Sequence, residues 1–553
     1  MRYKLNKIKE YIFDNKKKVL LISLLSIIFM IGFIYILYRA RIIHIKPKLD
    51  NIYDIPDIST YLKEINNDDY IINDNLDFIN KYNLTNIDKS YDNEYMNYIK
   101  DLRMNKRINS LDIKLEDSLF AERNWKELYK NSLINKKEFD EVIFNGNNIS
   151  ELNKFIKENI NKKIIINSKQ LYVDELLSLE SNIYLFGNET EIIFNEDYKE
   201  FCFGYIDNLN DIYISNFIFD KGINIFYIKN SKNIIIEDNI IRNSYDRSII
   251  LSGSYNINIL NNKFIHNISS IYIMGNNYNS IIKENIIEES YGTANAFAGI
   301  VIDSSNYIDE EISDEFKAVD ERLRGPHDIL FIGNYIGKGR GNGIYCCGGY
   351  NCYFIKNVLI LNDKEGICLD FGSIANYLYD NDILNNGYRR DQMDSDLQMD
   401  FVYDLGRLED GSSPAKLPGI SMDNAMWNII HHNNISYNAG SGIKSVRSSI
   451  ENIIYDNNII DNNIGSNNIF HFFGIELGAA NRLKEANQLK NIMDVVSNYG
   501  NIIIQNNIEG KHYSGILLAK ESYLNDILNN NISGSIKYDI ECLSKKDNNI
   551  SNN

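Results

Sequence analysis

What most constrains this chain is a short unit, Asn-x-(Ile/Leu/Phe), that returns at near-constant spacing. Its asparagines are Asn216, Asn239, Asn262, Asn285, Asn334, Asn357, Asn381, Asn433, Asn457, Asn506 and Asn530, and most steps are 23 or 24 residues. Wider gaps of 49 or 52 residues hold one or two steps plus an insertion. A second motif runs in the same register: Gly-Ile followed by alternation, at Gly299, Gly343, Gly366, Gly419, Gly442, Gly474 and Gly515. Short β-runs at a fixed period signal stacked coils, because one coil alone buries too little to be stable. Stacking sets like residues over like about 4.8 Å apart, so an inward isoleucine column becomes a continuous core. Asparagine suits the tight bends, tolerating left-handed backbone and bonding along its own column. A leucine-rich horseshoe needs a leucine consensus that is absent, and membrane barrel strands need about ten residues each, roughly twice these runs. The expectation is a parallel β-helix.

Ahead of the repeats, Asn148 to Asn159 reads NISELNKFIKEN, with Ile149, Leu152, Phe155 and Ile156 on one helical face and Ser150 placed to cap its start. Such a helix would cover the first coil and block edge-to-edge pairing. The runs KKIIINSKQLYV, NIYLFGN and EIIF read as opening strands. On these features residues 140–545 resemble the right-handed parallel β-helix proteins, the pectate-lyase-like superfamily with its NosD-like relatives of carbohydrate-binding repeats. The resemblance implies an all-β, single-stranded right-handed parallel β-helix with an N-terminal cap helix. It also implies an extended polysaccharide on a strand face bordered by loops.

Val19 to Tyr38 reads VLLISLLSIIFMIGFIYILY, twenty residues without a charge. As a helix it would span about 30 Å, one hydrocarbon core. The run is longer than a cleaved leader's apolar region and exits through Arg39-Ala40-Arg41, a poor cleavage site. The expectation is a transmembrane signal anchor with the lipid bilayer as partner. The richer basic flank at 1–18 then stays in the cytoplasm, and the large domain lies outside it. Residues 39–139 form a tether with a small helical element around NWKELYKNSLI, 140–545 the solenoid and 546–553 a tail. Lys+Arg is 58 against Asp+Glu 75, a net charge of −17, which argues against a nucleic-acid partner. The six cysteines contain no Cys-x-x-Cys, and the adjacent Cys346-Cys347 must face opposite sides of a strand, so neither a zinc site nor a disulfide framework is expected.

The Gly-Ile register assigns facing: isoleucine inward, the next residue outward, the next inward, the next outward. The first outward column holds Tyr345, Cys368, Ser421, Lys444 and Glu476; the second holds Asp303, Cys347, Asp370 and Asp423. If 388–415 is an excursion rather than a coil, Asp370 and Asp423 occupy adjacent turns, and one carboxyl pKa should rise. Asp370, Asp423, Lys444, Glu476, nearby Arg447 and His327 are the candidate catalytic groups. Any single one is more often an ordinary solvated surface charge. His327 lies in Gly325-Pro326-His327-Asp328, similar to the Asp-Pro-His-Asp signature of alginate-type epimerases with its first Asp replaced by Gly325. Tyr345, Tyr403, His471 and Asp303 are candidate substrate contacts. No metal ligand is assigned; calcium enters only if the chemistry is that of the resembled family's lyases. Function stays open between three classes. One is a membrane-anchored, extracytoplasmic enzyme on polysaccharide (lyase, epimerase or hydrolase). The second is a non-catalytic glycan-binding or cell-surface assembly protein. The third, a metal-cofactor assembly factor of the NosD-like kind, is disfavoured by the lack of a clean Cys/His cluster.

Overall fold

The structure, a computed structural model, describes residues 125–194, 202–292, 298–304, 325–370, 372–387, 418–446, 449–462, 472–478, 498–520, 522–545, 547–551 and 553. All of them fall within one compact unit, Ile58–Asn553. They coil as a right-handed parallel β-helix. One sheet has twelve strands, from Cys202–Asp207 to Tyr538–Cys542, each coil giving one. The other has 26 strands, and most coils give it two short ones, such as Ile429–His431 and Asn434–Ser436. Pairing is parallel and in register from coil to coil, as in Ile344↔Ile367 and Ile420↔Ile443. The last pairing, Asp526–Leu528 with Asn549–Ser551, carries the ladder past residue 545. Inward isoleucines, leucines and phenylalanines fill one continuous core from Phe144 to Ile527.

Corners hold the register. Asn433 Nδ2 donates to Asn457 Oδ1 at 3.0 Å, and the same oxygen accepts the Asn433 backbone N–H at 3.0 Å. The next rungs, Asn457 to Asn506 and Asn506 to Asn530, repeat the pattern at 2.9 and 3.0 Å. The left-handed residue is not the ladder asparagine but the one before it: Asp380, His432, Asp456 and Gln505 all have φ of 50–56°. This corrects the expectation that the ladder asparagines themselves adopt that conformation. It also removes Asn216 from the ladder, since its φ is 61° and the residue bonded to Asn239 Oδ1 is Phe217. The Gly-Ile glycine has a steric reason: a Cβ on Gly442 would lie 2.6 Å from Ile459 Cγ2 and 2.7 Å from the Gly474 carbonyl oxygen.

At the N-terminal end, the helix Ile149–Glu158 lays Ile149, Leu152 and Ile156 on the core. Its cap is Asn148, which accepts from the Glu151 N–H at 2.8 Å; Ser150, the expected cap, donates to the Asn148 side chain instead. A second helix, Trp125–Ser132, starts a strap on the outside of the larger sheet.

These two helices have eight and ten residues, about 12 and 15 Å long against a hydrocarbon core of about 30 Å. Among the described residues no helix is long and apolar enough to cross a membrane. The expected transmembrane element is corrected accordingly. With it go the single-pass cell-membrane localisation, the bilayer as partner and the membrane-anchored enzyme. Val19–Tyr38 itself lies outside the described residues.

Candidate functional site

On the twelve-stranded sheet successive residues of a strand face alternately into and out of the coil, so pairing in register turns single outward residues into columns. The first column runs Tyr272, Val301, Tyr345, Cys368, Ser421, Lys444, Glu476. The second runs Met274, Asp303, Cys347, Asp370, and Asp423 follows in the next strand. Leu369 pairs with Met422 although 53 residues separate them, so Asp370 and Asp423 stand on adjacent rungs, about 4.8 Å apart along the backbone.

Diagonal contacts link the columns. The Tyr345 hydroxyl donates to Asp370 Oδ2 at 3.0 Å, and Tyr272 donates to Asp303 two coils earlier. Arg247 lies over the Tyr272 ring at 4.2 Å. Ser421 Oγ donates to Cys368 Sγ at 3.2 Å. Burial, then the Asp370 charge, pushes the Tyr345 phenol far above its ordinary pKa. Tyr345 is thus a fixed donor, not a base.

Further along, Lys444 Nζ lies 3.4 Å from Glu476 Oε1, and Ser441 Oγ donates to Glu476 Oε2 at 2.8 Å. The Lys444 and Glu476 side chains are 5% and 0% exposed. Glu476 is therefore held as a closed ion pair. In contrast Asp303, Tyr345, Asp370, Ser421 and Asp423 keep 4–8% exposure, while the inward isoleucines beside them have 0%. This outer face is therefore buried, with a few per cent of each side chain left exposed, Lys444 included. It is not the open, solvated face that charges on the outside of such a coil suggest.

His327 is not in either column. It sits at the corner after the Asp303 strand, bridged to Tyr350 and stacked between Tyr278 at 5.3 Å and Tyr350 at 4.6 Å. Its Nδ1 meets Asp328 at 2.7 Å and its Nε2 meets Asn276 at 3.0 Å. Both nitrogens are committed locally. Arg447, Tyr403 and His471 lie outside the described residues.

Sequence reasoning passed over Tyr272, whose Ser270-Ile271 register already placed it above Tyr345. It also passed over Ser441, which immediately precedes the Gly442 of its motif and fixes the second oxygen of Glu476.

Metal chemistry does not fit the described residues. They contain no group of three or more His, Cys, Asp or Glu placed to hold an ion. Glu476 is bound to Lys444, and calcium wants six to eight oxygens. Cys346 and Cys352 are buried, and burial lifts the Cys346 thiol to about 11 and Cys352 well above its usual value. They are poor candidates for a thiolate metal site.

No curated protein matches the chain. Residues 309–469 match the family described as periplasmic copper-binding protein (NosD). Among solved structures, the A-module of an Azotobacter vinelandii mannuronan C-5 epimerase is 13% identical, over 73% of this chain and 94% of its own, with TM-score 0.45. A surface adhesin of Streptococcus pneumoniae is 14% identical over 71% and 88%, with TM-score 0.40. A periplasmic alginate epimerase is 12% identical over 77% and 90%, with TM-score 0.37.

Proposed function

We propose that this chain is a glycan-recognition protein, and that an extended polysaccharide lies along the solenoid axis on the outer face of the twelve-stranded sheet from Asp303 to Asp423. The observation that carries this reading is the aspartate column, which keeps solvent contact over successive turns while its inward neighbours have none. Carboxylates accept hydrogen bonds from sugar hydroxyls, and a ladder of them suits a polymer that repeats its hydroxyls.

Calorimetric titration with neutral, amino-sugar and uronate polymers tests the assignment. Asp370→Asn and Asp423→Asn should each weaken the preferred glycan about tenfold or more, roughly 1.4 kcal/mol. Equal affinity across the wild type and both variants, or no glycan bound at all, overturns it. The adjacency of Asp370 and Asp423 favours a second reading, acid–base turnover on the same face. Cleaved or unsaturated product from the wild type but not from Asp370→Asn would select that one.

A further inference from the structure

The larger sheet also has an outer column, and it is apolar. It runs through Tyr184, Tyr213, Ile235, Asn258 and Ile281, each paired to the next. It continues through Leu330, Tyr353, Tyr377, Ile429, Ile453 and Ile502. Inward neighbours such as Phe354, Leu378, Ile430 and Ile454 belong to the core, so these residues point out of the coil. All but the partly buried Tyr184 are buried all the same.

The strap covers the first half of this column. Phe139 packs on Tyr184 and Tyr213 with ring centroids 6.4 and 5.6 Å apart. Lys136 pairs with Glu237, two residues beyond Ile235. The Asn258 amide, turned to satisfy both groups, donates to the Ser132 carbonyl and accepts from the Ile134 N–H. Tyr129 meets Lys283 at 3.4 Å, two residues from Ile281. Followed from Phe139 back to Trp125, the chain climbs the column rung by rung.

We propose that the stretch of this chain just before Trp125 continues the climb, as an amphipathic helix seated on the column from Leu330 to Ile502. Two features of the sequence fit that occupant. Met104, Ile108, Leu111, Leu115 and Leu119 recur at steps of three and four, one apolar helical stripe. The length also matches: six rungs from Ile281 to Ile502 span about 29 Å at ~4.8 Å each, and the residues from Met104 to Asn124 span about 31 Å as a helix. The column and strap form one interface, so the docked stretch extends a contact that already exists. A helix there gives that side of the coil a second layer and covers side chains that would otherwise invite association.

Photocrosslinking of the full chain tests this, with p-benzoylphenylalanine in place of Leu115. The expected product joins position 115 to a strand among residues 353–455 of the same chain, at every protein concentration. Crosslinks only between two chains would mean that a second copy holds the face. Crosslinks elsewhere, or none, would mean that residues 104–119 do not. Either overturns the proposal. A labelling arm stands apart from the crosslink: Ile453→Cys in a Cys542→Ser background, with Tyr437→Cys as the exposed reference. Maleimide should react at 453 at least tenfold more slowly than at 437, and the double change Leu111→Asp, Leu115→Asp should remove that protection. Equal rates at 453 and 437 in the otherwise unchanged chain overturn the proposal.

Discussion

The corners and the outer face of the twelve-stranded sheet are built on the same rung spacing, yet they solve hydrogen bonding in opposite ways. A corner is a column of one residue. An amide both donates and accepts, so identical asparagines satisfy each other, and Asn381, Asn433, Asn457 and Asn506 bond in turn at 2.8, 3.0 and 2.9 Å. An ionised carboxylate only accepts, so a column of aspartates cannot close on itself. Each must find an unlike partner: Tyr345 to Asp370 and Tyr272 to Asp303 run diagonally between the columns, and Lys444 to Glu476 runs along one column. The corner is complete within one residue type, whereas the outer face depends on unlike neighbours, and that difference separates scaffold from candidate site.

The largest expected effect comes from breaking an unlike pair where no water can replace the partner. Lys444→Met leaves the fully buried Glu476 carboxylate with its Ser441 bond and no cation. Loss of one partner of a buried ion pair costs about 3–5 kcal/mol. Denaturant unfolding should show that loss, and Lys444→Met with Glu476→Leu should recover much of it. If Lys444→Met is as stable as the wild type, the pair is not closed, and Glu476 rejoins the candidate site.

Breaking the self-complementary column should cost somewhat less, since no bare charge is left. Asn433→Ala removes the acceptor of both the Asn381 backbone N–H and its amide, at 2.9 and 2.8 Å, and a donor to the Leu378 carbonyl. Leaving such groups unsatisfied costs about 2–3 kcal/mol. Because a solenoid unfolds through its neighbours, hydrogen exchange should rise first around residues 378–381 and 454–457. Asn433→Asp should not rescue it, as the carboxylate cannot donate to Leu378.

Much of this was legible in the sequence, for a physical reason. Side-chain alternation and the 23–24-residue step are both fixed by the backbone, so the Gly-Ile register alone set Asp303, Asp370, Asp423, Lys444 and Glu476 in their columns. More was legible than was used. Asn376, Asn428, Asn452, Asn501 and Asn525 form a second ladder five residues ahead of the first, with the same Asn-x-(Ile/Leu) signature. Asn362, Asn386, Asn438 and Asn462 form a third, five residues behind the first, in which Asn462 alone carries that signature. The strap could not be read, because it occurs once and its partners lie on five different coils. Burial of the aspartate column could not be read either: a strand pattern says which side a residue faces, not what lies over that side. His327 shows the opposite hazard, a four-residue similarity pointing to proton transfer where the structure has a ring stacked between two tyrosines.

Removing one bond from a diagonal pair is a milder perturbation than removing a charge. Tyr345→Phe deletes the donor to Asp370 and keeps the ring. A hydrogen bond to a charged group is worth about 1.5–3 kcal/mol, and residual solvent contact at Asp370 places the loss near the lower end. If Asp370 serves the glycan, the same change should alter binding as well as stability. An unchanged glycan affinity would confine Tyr345 to the scaffold.

The smallest effect expected is where the third ladder departs from asparagine. His512 takes the next rung, and its Nε2 accepts from the Asn462 N–H at 3.2 Å. Burial lowers its pKa from the ordinary 6.5 to about 4, with Asp461 opposing. Above pH 6.5 the ring is neutral in both folded and unfolded chain, and it adds no pH dependence. As pH falls below that, the unfolded chain takes up the proton first, so stability is lost progressively down to about pH 4. Between pH 7 and 5.5 the loss is about 1 kcal/mol. His431, also held neutral by burial, contributes a loss of the same sign, so the informative quantity is the difference between the wild type and His512→Asn. Asparagine restores the self-complementary column and carries no proton. The variant should match or exceed the wild type at pH 7 and gain on it steadily toward pH 5. Parallel stability curves for the two would mean that His512 takes up its proton alike in the folded and unfolded chain, and that its Nε2 is not a committed acceptor for the Asn462 N–H.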